Sequence, residues 1–126
     1  MSKESKFDLE DRLVDFAARC IKVSDALPPT KAGQHLAGQL CRSASSPALN
    51  YGEAQGAESR KDFVHKMSVS LKELRETLIC LKIVMKVDML DIAKLQPLAD
   101  EANELISIFV TSVKTAKQNI NKEEGN

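Results

Sequence analysis

Residues 67–87, MSVSLKELRETLICLKIVMKV, contain the clearest helical pattern of the chain. Large apolar residues recur here at alternating intervals of four and three residues: Met67, Leu71, Leu74, Leu78, Leu81 and Met85. This heptad spacing places them on one side of an α-helix and is typical of a left-handed helical bundle. Ser59 is a candidate N-cap, and Asp62 follows it at the spacing of a capping box. We therefore predict a helix from about Arg60 to Val87.

Two helices are predicted before this segment. Residues 8–26 show apolar side chains every three or four positions, and the two prolines of ALPPT end that helix. The next helix spans residues 30–54. Pro47 lies inside it, which predicts a kink near residues 43–47 rather than a break, because proline removes one backbone hydrogen bond and crowds the preceding turn.

A fourth helix is predicted to start between Asp91 and Pro97, with Pro97 in its first turn, and to continue to about Lys117. Four long helices with short connections predict an all-α protein, an antiparallel up-down-up-down four-helix bundle. The length of 126 residues suits one domain, residues 1–126, with an ordered core of about 7–118. The polar tail 119–126 is expected to fray.

Composition points to an ordinary globular protein. Hydrophobic residues make up 43% and charged residues 29% of the chain, and the formal net charge is zero, so no global attraction to nucleic acid is indicated. The charged N-terminus is unlike a signal peptide, and no apolar run has the length of a membrane span. Cys20, Cys41 and Cys80 are widely separated, as expected of reduced thiols. These features predict a cytoplasmic protein without a membrane partner.

The third predicted helix also has a second apolar side. At 100° per residue, Ile79 and Ile83 project nearly opposite the heptad positions, and Val69, Cys80 and Val87 lie beside them. A few exposed aliphatic residues are normal in soluble proteins. Because these residues cluster, we interpret the second side as a subunit interface.

Charge along the chain favours the same interpretation. Residues 60–86 hold seven basic and three acidic side chains, and residues 88–104 hold five acidic and one basic. Separate strips of opposite charge suit a head-to-tail contact between copies, and the alternative is two solvated faces that bind nothing. We therefore hypothesise a homo-oligomer.

A polar stretch interrupts the apolar pattern at residues 42–63. Arg42, Asn50 and Glu53 are a candidate polar or ligand site there. The alternative, which we favour, is that Asn50 and Glu53 satisfy buried backbone groups or cap the corner between two helices, since an unpaired buried amide costs roughly 1–3 kcal/mol.

Catalysis is not predicted. His35 and His65 do not have the spacing of metal ligands, and neither an ExxH pair nor a glycine-rich phosphate loop occurs. A dyad of Cys41 with either histidine is the alternative, and chance pairs of this kind are common. We predict no catalytic residues, no metal ligands and no cofactor.

RNA binding is a second hypothesis. The candidate contacts to phosphates are Arg60, Lys61, Lys66, Lys72 and Arg75. Aromatic residues for base stacking are scarce, so we rank a structural or protein-interaction module first. The expected partners are further copies of the chain, with RNA or a nucleic-acid-associated protein as the alternative.

The stretch LCRSASSPALNYGEAQGAESRKDFVHKMSVSLKELRETL, residues 40–78, resembles the four-helix-bundle proteins encoded in intervening sequences of bacterial 23S ribosomal RNA genes. The segment that carries the resemblance has an arginine, small residues, an asparagine and an acid, followed by a helix start with Ser59, Arg60, Lys61 and Phe63. The first helix, FDLEDRLVDFAARCIKVSDALP, also fits, and the resemblance extends over about residues 7–118. Ala54 replaces a frequent glycine, and Pro47 is displaced by one position.

The resemblance implies a bacterial protein whose bundle assembles as a homopentamer. It also implies a link to ribosomal RNA that rests on gene location. The accessory protein of diversity-generating retroelements, a pentamer that binds a reverse transcriptase and nucleic acid, is similar at the level of the fold alone.

Overall fold

Residues 2–124 form four α-helices in the computed structural model, which describes the side chains of residues 9–123. In chain order they are α1 (Ser2–Ala26), α2 (Lys31–Gln55), α3 (Arg60–Lys86) and α4 (Ile92–Glu124). No strand occurs among residues 2–124, and the predicted all-α class is confirmed. The last two residues of the predicted tail lie outside the described part of the chain.

The corner between α1 and α2 is tight. Thr30 is the N-cap of α2, and its hydroxyl accepts a hydrogen bond of 3.0 Å from the backbone nitrogen of Gly33. A Cβ atom at Gly33 would lie 2.0 Å from the carbonyl oxygen of Pro28, so only glycine fits without a shift of the backbone. The prolines of this corner end α1, as predicted.

α2 continues through Pro47 without a break, although Pro47 has no N–H to donate to the preceding turn. Pro47 is buried, and its own carbonyl oxygen accepts a hydrogen bond of 3.1 Å from the hydroxyl of Ser70 in α3. The segment that sequence alone marked as unusual is therefore the place where α3 lies against α2.

α3 begins with the cap that the sequence predicted. The hydroxyl of Ser59 accepts a hydrogen bond of 3.0 Å from the backbone nitrogen of Asp62, and the carboxylate of Asp62 accepts one of 3.3 Å from the backbone of Glu58. At the other end Val87 is the C-cap, and Asp88 adopts a φ of 56°, in the left-handed region that aspartate tolerates better than most residues.

α4 starts at Ile92, within the predicted range, but Pro97 then lies in the second turn and not in the first. It continues to Glu124, beyond the predicted end near Lys117. Ile120 is half-buried, and the carboxylate of Glu123 lies 3.1 Å from the guanidinium of Arg60. Both contacts hold this last segment against the bundle.

The contacts between α2 and α3 show that these helices are antiparallel. As the number rises along α2, the number of the contacted residue in α3 falls: Leu36 with Cys80, Ser43 with Thr77, Pro47 with Ser70, Glu53 with Lys66. The ion pair between the start of α3 and the end of α4, together with their short connection, orients that pair in the same way. The arrangement is that of a four-helix bundle.

One core runs through the bundle, and the heptad positions of α3 face it. Tyr51 of α2 meets Phe109 of α4 edge to face, with ring centroids 6.0 Å apart. The largest side chains with almost no exposure come from all four helices: Leu13, Phe16, Leu40, Met67, Leu74, Leu81, Leu95, Leu98, Leu105 and Phe109.

The first and last helices close the bundle with the smallest contact of the four neighbouring pairs. Arg12 of α1 binds Glu101 of α4 through two hydrogen bonds of 2.9 and 2.8 Å, a bidentate ion pair. Glu104 lies 3.7 Å from the same guanidinium. Within the described part of the chain, no helix is long and apolar enough to cross a membrane.

Candidate interaction surface

The outward side of α3 carries exposed aliphatic residues, as the sequence indicated. Ile79 is 54% exposed and Ile83 43% exposed, although isoleucine is among the residue types most often buried. Val87, at the C-cap, is also exposed. We call these three residues the α3 apolar face. Helical spacing places them along one line, because they are separated by four residues each.

A shallow groove of about 400 Å³ lies between α2 and α3 beside this face. Leu36, Cys80 and the two isoleucines give it an apolar lining. Its polar lining residues are His35, Gln39, Arg75 and Glu76. An apolar groove with a polar rim is suited to receive an apolar side chain from another surface.

Two of the predicted interface residues lie deeper than the sequence indicated. Val69 is half-buried, and Cys80 is only 3% exposed. The Cys80 thiol lies 3.8 Å from the carbonyl oxygen of Leu36, so it packs between α2 and α3 under the surface. Burial raises the pKa of this thiol. The reason for the difference is that Cys80 lies on the α2 side of α3, which helical phase alone does not reveal.

The three residues of the predicted polar site are not brought together. Arg42 donates to the side chain of Gln39 at 2.5 Å, and Asn50 donates to the backbone and hydroxyl oxygens of Ser46, one turn earlier, at 3.0 Å each. Glu53 instead pairs with α3. Arg42 and Glu53 are eleven residues apart, about 16 Å along a helix, so these three side chains do not converge on a small ligand.

The contacts of Asn50 and Glu53 match the alternative interpretation of this stretch. The side-chain amide of Asn50 donates to the backbone carbonyl oxygen of Ser46 in its own helix, and Glu53 binds Lys66 of α3 at 2.6 Å near the corner between the two helices. The hydrogen bond and the charge of Glu53 raise the pKa of Lys66. Glu53 therefore supports the α2–α3 corner, whereas the contacts of Asn50 stay within α2.

The five predicted RNA contacts do not form one free basic surface. Arg60 pairs with Glu123 at 3.1 Å, Lys66 with Glu53 at 2.6 Å, and Lys72 with Glu76 at 3.9 Å on the same helix. Lys61 and Arg75 are exposed. Sequence counting found the excess of positive charge on α3, but it did not show that acids from α2 and α4 reach these side chains.

Neither the cysteines nor the histidines form a recognisable reactive site. Burial raises the pKa of Cys20 from 9.0 to about 12, which disfavours the nucleophilic thiolate. Cys41 contacts the hydroxyl of Ser24 at 3.0 Å, and both histidines are exposed on different helices. Among the described residues, no cluster of three or more histidine, cysteine or acidic side chains could hold a metal ion.

The sequence reasoning missed a second exposed apolar surface, on α1. Val14 is 55% exposed and Ile21 39% exposed, one heptad apart. The available signal was this spacing of seven residues, outside the buried positions Leu13, Phe16 and Cys20.

Comparison with known proteins identifies relatives of this bundle. The family model for 23S rRNA-intervening sequence proteins matches residues 5–111. A crystal structure at 1.70 Å resolution shows a protein of unknown function from the S23 ribosomal protein family of Bacteroides thetaiotaomicron VPI-5482. It superposes with a TM-score of 0.78 at 24% identity and covers 84% of this chain and 98% of its own, and at this identity it shows the shared fold. Curated protein sequences give no match. Because the family model matches most of its length, the chain belongs to the family of 23S rRNA-intervening sequence proteins.

Proposed function

We propose that this protein is a non-enzymatic, self-assembling four-helix module that acts as a structural or protein-interaction unit in the cytoplasm. The observation that carries the proposal is the α3 apolar face with its adjoining groove. Single exposed aliphatic residues need no explanation, whereas several beside an apolar groove are typical of a surface that meets another protein.

The chemistry of the side chains also supports a non-catalytic role. The thiols of Cys20 and Cys80 are buried, with raised pKa values, and therefore react poorly. The residues that interrupt the apolar pattern of α2 make structural contacts with α3 or with their own helix. Three free thiols suit a reducing compartment.

The expected assembly is a homopentamer, as the family resemblance implies. Five copies of a 13.9 kDa chain have a mass of about 70 kDa, which sedimentation or light scattering separates clearly from a monomer. A wild-type protein that remains monomeric at micromolar concentration would refute self-assembly.

Ile83→Glu tests the surface. A carboxylate in an apolar interface loses its hydration without a partner, so this variant should dissociate the assembly. Val110→Glu is the matched control, because Val110 is an exposed aliphatic residue on a different helix, α4, and it should leave the mass unchanged. Circular dichroism checks that both variants fold.

A second candidate function is RNA binding. The observation that favours it is the set of exposed bases on the outward side of α3, namely Arg75, Lys82 and Lys86, which assembly would repeat in each copy. If phosphates are contacted, the affinity for 23S ribosomal RNA fragments should fall steeply as salt rises. Binding that is absent, or that does not respond to salt, would exclude this role.

A further inference from the structure

α1 presents an apolar stripe with acidic ends. Val14, Ala18 and Ile21 are exposed and lie at positions i, i+4 and i+7 of the helix, so they share one side of it. Exposed carboxylates precede and follow the stripe. We call the following residues the α1 acidic face: Glu10, Asp11, Val14, Ala18, Ile21 and Asp25.

The outward side of α3 has the opposite charge around a similar stripe. Ile79 and Ile83 form its apolar centre, and exposed bases lie at its two ends and along one side. We call these residues the α3 basic face: Arg75, Ile79, Lys82, Ile83 and Lys86.

Charges of the wrong sign near each face are largely neutralised within the chain. Next to the α1 acidic face, the positive charge of Arg19 is paired with Asp15 at 3.6 Å. Lys22 is the exposed basic residue that remains beside this face. Next to the α3 basic face, Glu76 lies 3.9 Å from Lys72. The α1 acidic face is therefore negative overall and the α3 basic face positive overall.

The two stripes also match in length. Val14 and Ile21 are seven residues apart, about 10 Å along the helix axis. The α3 apolar face, which continues the centre of the α3 basic face as far as Val87, runs over eight residues from Ile79, about 12 Å. Two helices that pack with axes roughly 8–10 Å apart bring such two-turn stripes into contact. The long side chains of lysine and arginine then reach acids beyond the apolar centre.

We infer that the α3 basic face of one copy docks against the α1 acidic face of the next copy. This inference rests on the proposed self-assembly and names the surface that the α3 apolar face meets. Opposite charge on the two faces favours this pairing over α3 with α3, where like charges would oppose each other.

The placement of the two faces determines the kind of assembly. In the described part of the chain, α1 and α3 do not contact each other within a copy, so each copy presents its two faces on separate sides. When two copies join through two different faces, one face of each kind stays uncovered in the dimer. The contact therefore continues from copy to copy, and it makes a ring when the rotation between copies closes.

The test uses two double variants that leave one face intact in each. Val14→Gln/Ile21→Gln damages the α1 acidic face, and Ile79→Gln/Ile83→Gln damages the α3 basic face without a change of charge. All four residues are exposed, so both variants should fold. Each alone should sediment as a monomer, with association weakened at least tenfold. Their equimolar mixture should form a 1:1 heterodimer of about 28 kDa, two copies of the 13.9 kDa chain, because each supplies the face that the other lacks.

The outcomes separate this inference from the proposed function. If wild type is itself monomeric, self-assembly is refuted. If wild type assembles and Val14→Gln/Ile21→Gln assembles equally well, the module self-assembles through another face and the inference is wrong. A mixture of the two variants that stays monomeric, while wild type assembles, also overturns it. Val110→Glu is the control that should keep the wild-type mass.

Discussion

The hydroxyl groups of Ser43 and Thr77 meet at 3.0 Å in the fully buried space between α2 and α3. The Thr77 hydroxyl also donates to the carbonyl oxygen of Glu73 at 2.8 Å, one turn earlier in its own helix. Together with the bond from Ser70 to Pro47, this contact replaces large apolar side chains with small polar ones along the seam. The two helices can therefore approach closely without leaving a buried polar group unpaired.

Substitution of Ser43 tests this close approach. Ser43→Ala removes one buried hydrogen bond and should lower the free energy of unfolding by about 1 kcal/mol. Ser43→Leu removes the same hydroxyl and also inserts a large side chain into a closely packed seam, and should lower the free energy of unfolding by more than Ser43→Ala, by about 1–3 kcal/mol. Urea unfolding measures both values. Ser107→Ala, at an exposed position on α4, is the control and should change stability by no more than about 0.5 kcal/mol. A neutral or stabilising Ser43→Leu would contradict the predicted close packing.

Two glycines of α2 should respond in opposite directions to alanine. At Gly33 the added Cβ would lie 2.0 Å from the Pro28 carbonyl oxygen, so Gly33→Ala should destabilise the protein by about 1–3 kcal/mol as the α1–α2 corner shifts. At Gly38 nothing lies within 4 Å, so Gly38→Ala should stabilise it by about 0.5–1 kcal/mol through helix propensity. Thermal unfolding of the two variants gives the comparison, and equal shifts of the same sign would show that the corner is not tight.

The ion pair between Arg12 and Glu101 should not tolerate lysine. Lysine is a point charge and cannot make two parallel hydrogen bonds to one carboxylate, so Arg12→Lys should lower stability by about 1 kcal/mol. Lys72→Ala is the control, because its ion pair with Glu76 is exposed and should contribute little. Chemical unfolding at low and high salt measures both, and a loss for Lys72→Ala as large as that for Arg12→Lys would contradict this ranking.

Alkaline conditions should destabilise the fold through Cys20. Burial raises the pKa of this thiol to about 12 in the folded state, above its ordinary value of 9.0. The folded protein then holds a proton that the unfolded chain releases, so stability is complete below pH 9 and falls as pH rises from 9 towards 12, by about 4 kcal/mol at most.

Cys20→Ala isolates this effect. The variant should be less stable at neutral pH, because a buried side chain is shortened, but its stability should fall less between pH 9 and 11. Cys80, Tyr51 and Lys66, whose pKa values are also raised, are present in both proteins and cancel in the comparison. Parallel pH curves for wild type and variant would show that Cys20 does not titrate in this way.

The parts of the fold that were predictable from sequence are those that depend on local periodicity. The heptad positions of α3, the Ser59 cap and the proline corner after α1 each follow from residues close together in the chain. The predicted end of α4 was too early, because the contact that supports its last turns comes from a residue distant in the sequence. Glu123 is held by Arg60, and a polar tail gives no local sign of such a partner.

In the candidate surface, too, the features that depend on one helix were predictable and those that depend on a second helix were not. Exposure of Ile79 and Ile83 followed from the phase of one helix. The groove beside them needs Leu36 from α2, and the burial of Cys80 depends on which neighbour lies on each side of α3. Helical phase gives the direction of a side chain but not the identity of the helix that it meets, so these features required the structure.

The pair of Arg12 and Glu101 also constrains when the protein can finish folding during synthesis. The two residues are 89 positions apart and join α1 to α4, the first and the last of these four helices to be synthesised. α2 and α3 can form their hairpin while translation continues, because their contacts are shorter in range. α1, in contrast, must remain without its last neighbour until α4 has left the ribosome, so the nascent chain is exposed longest along that edge.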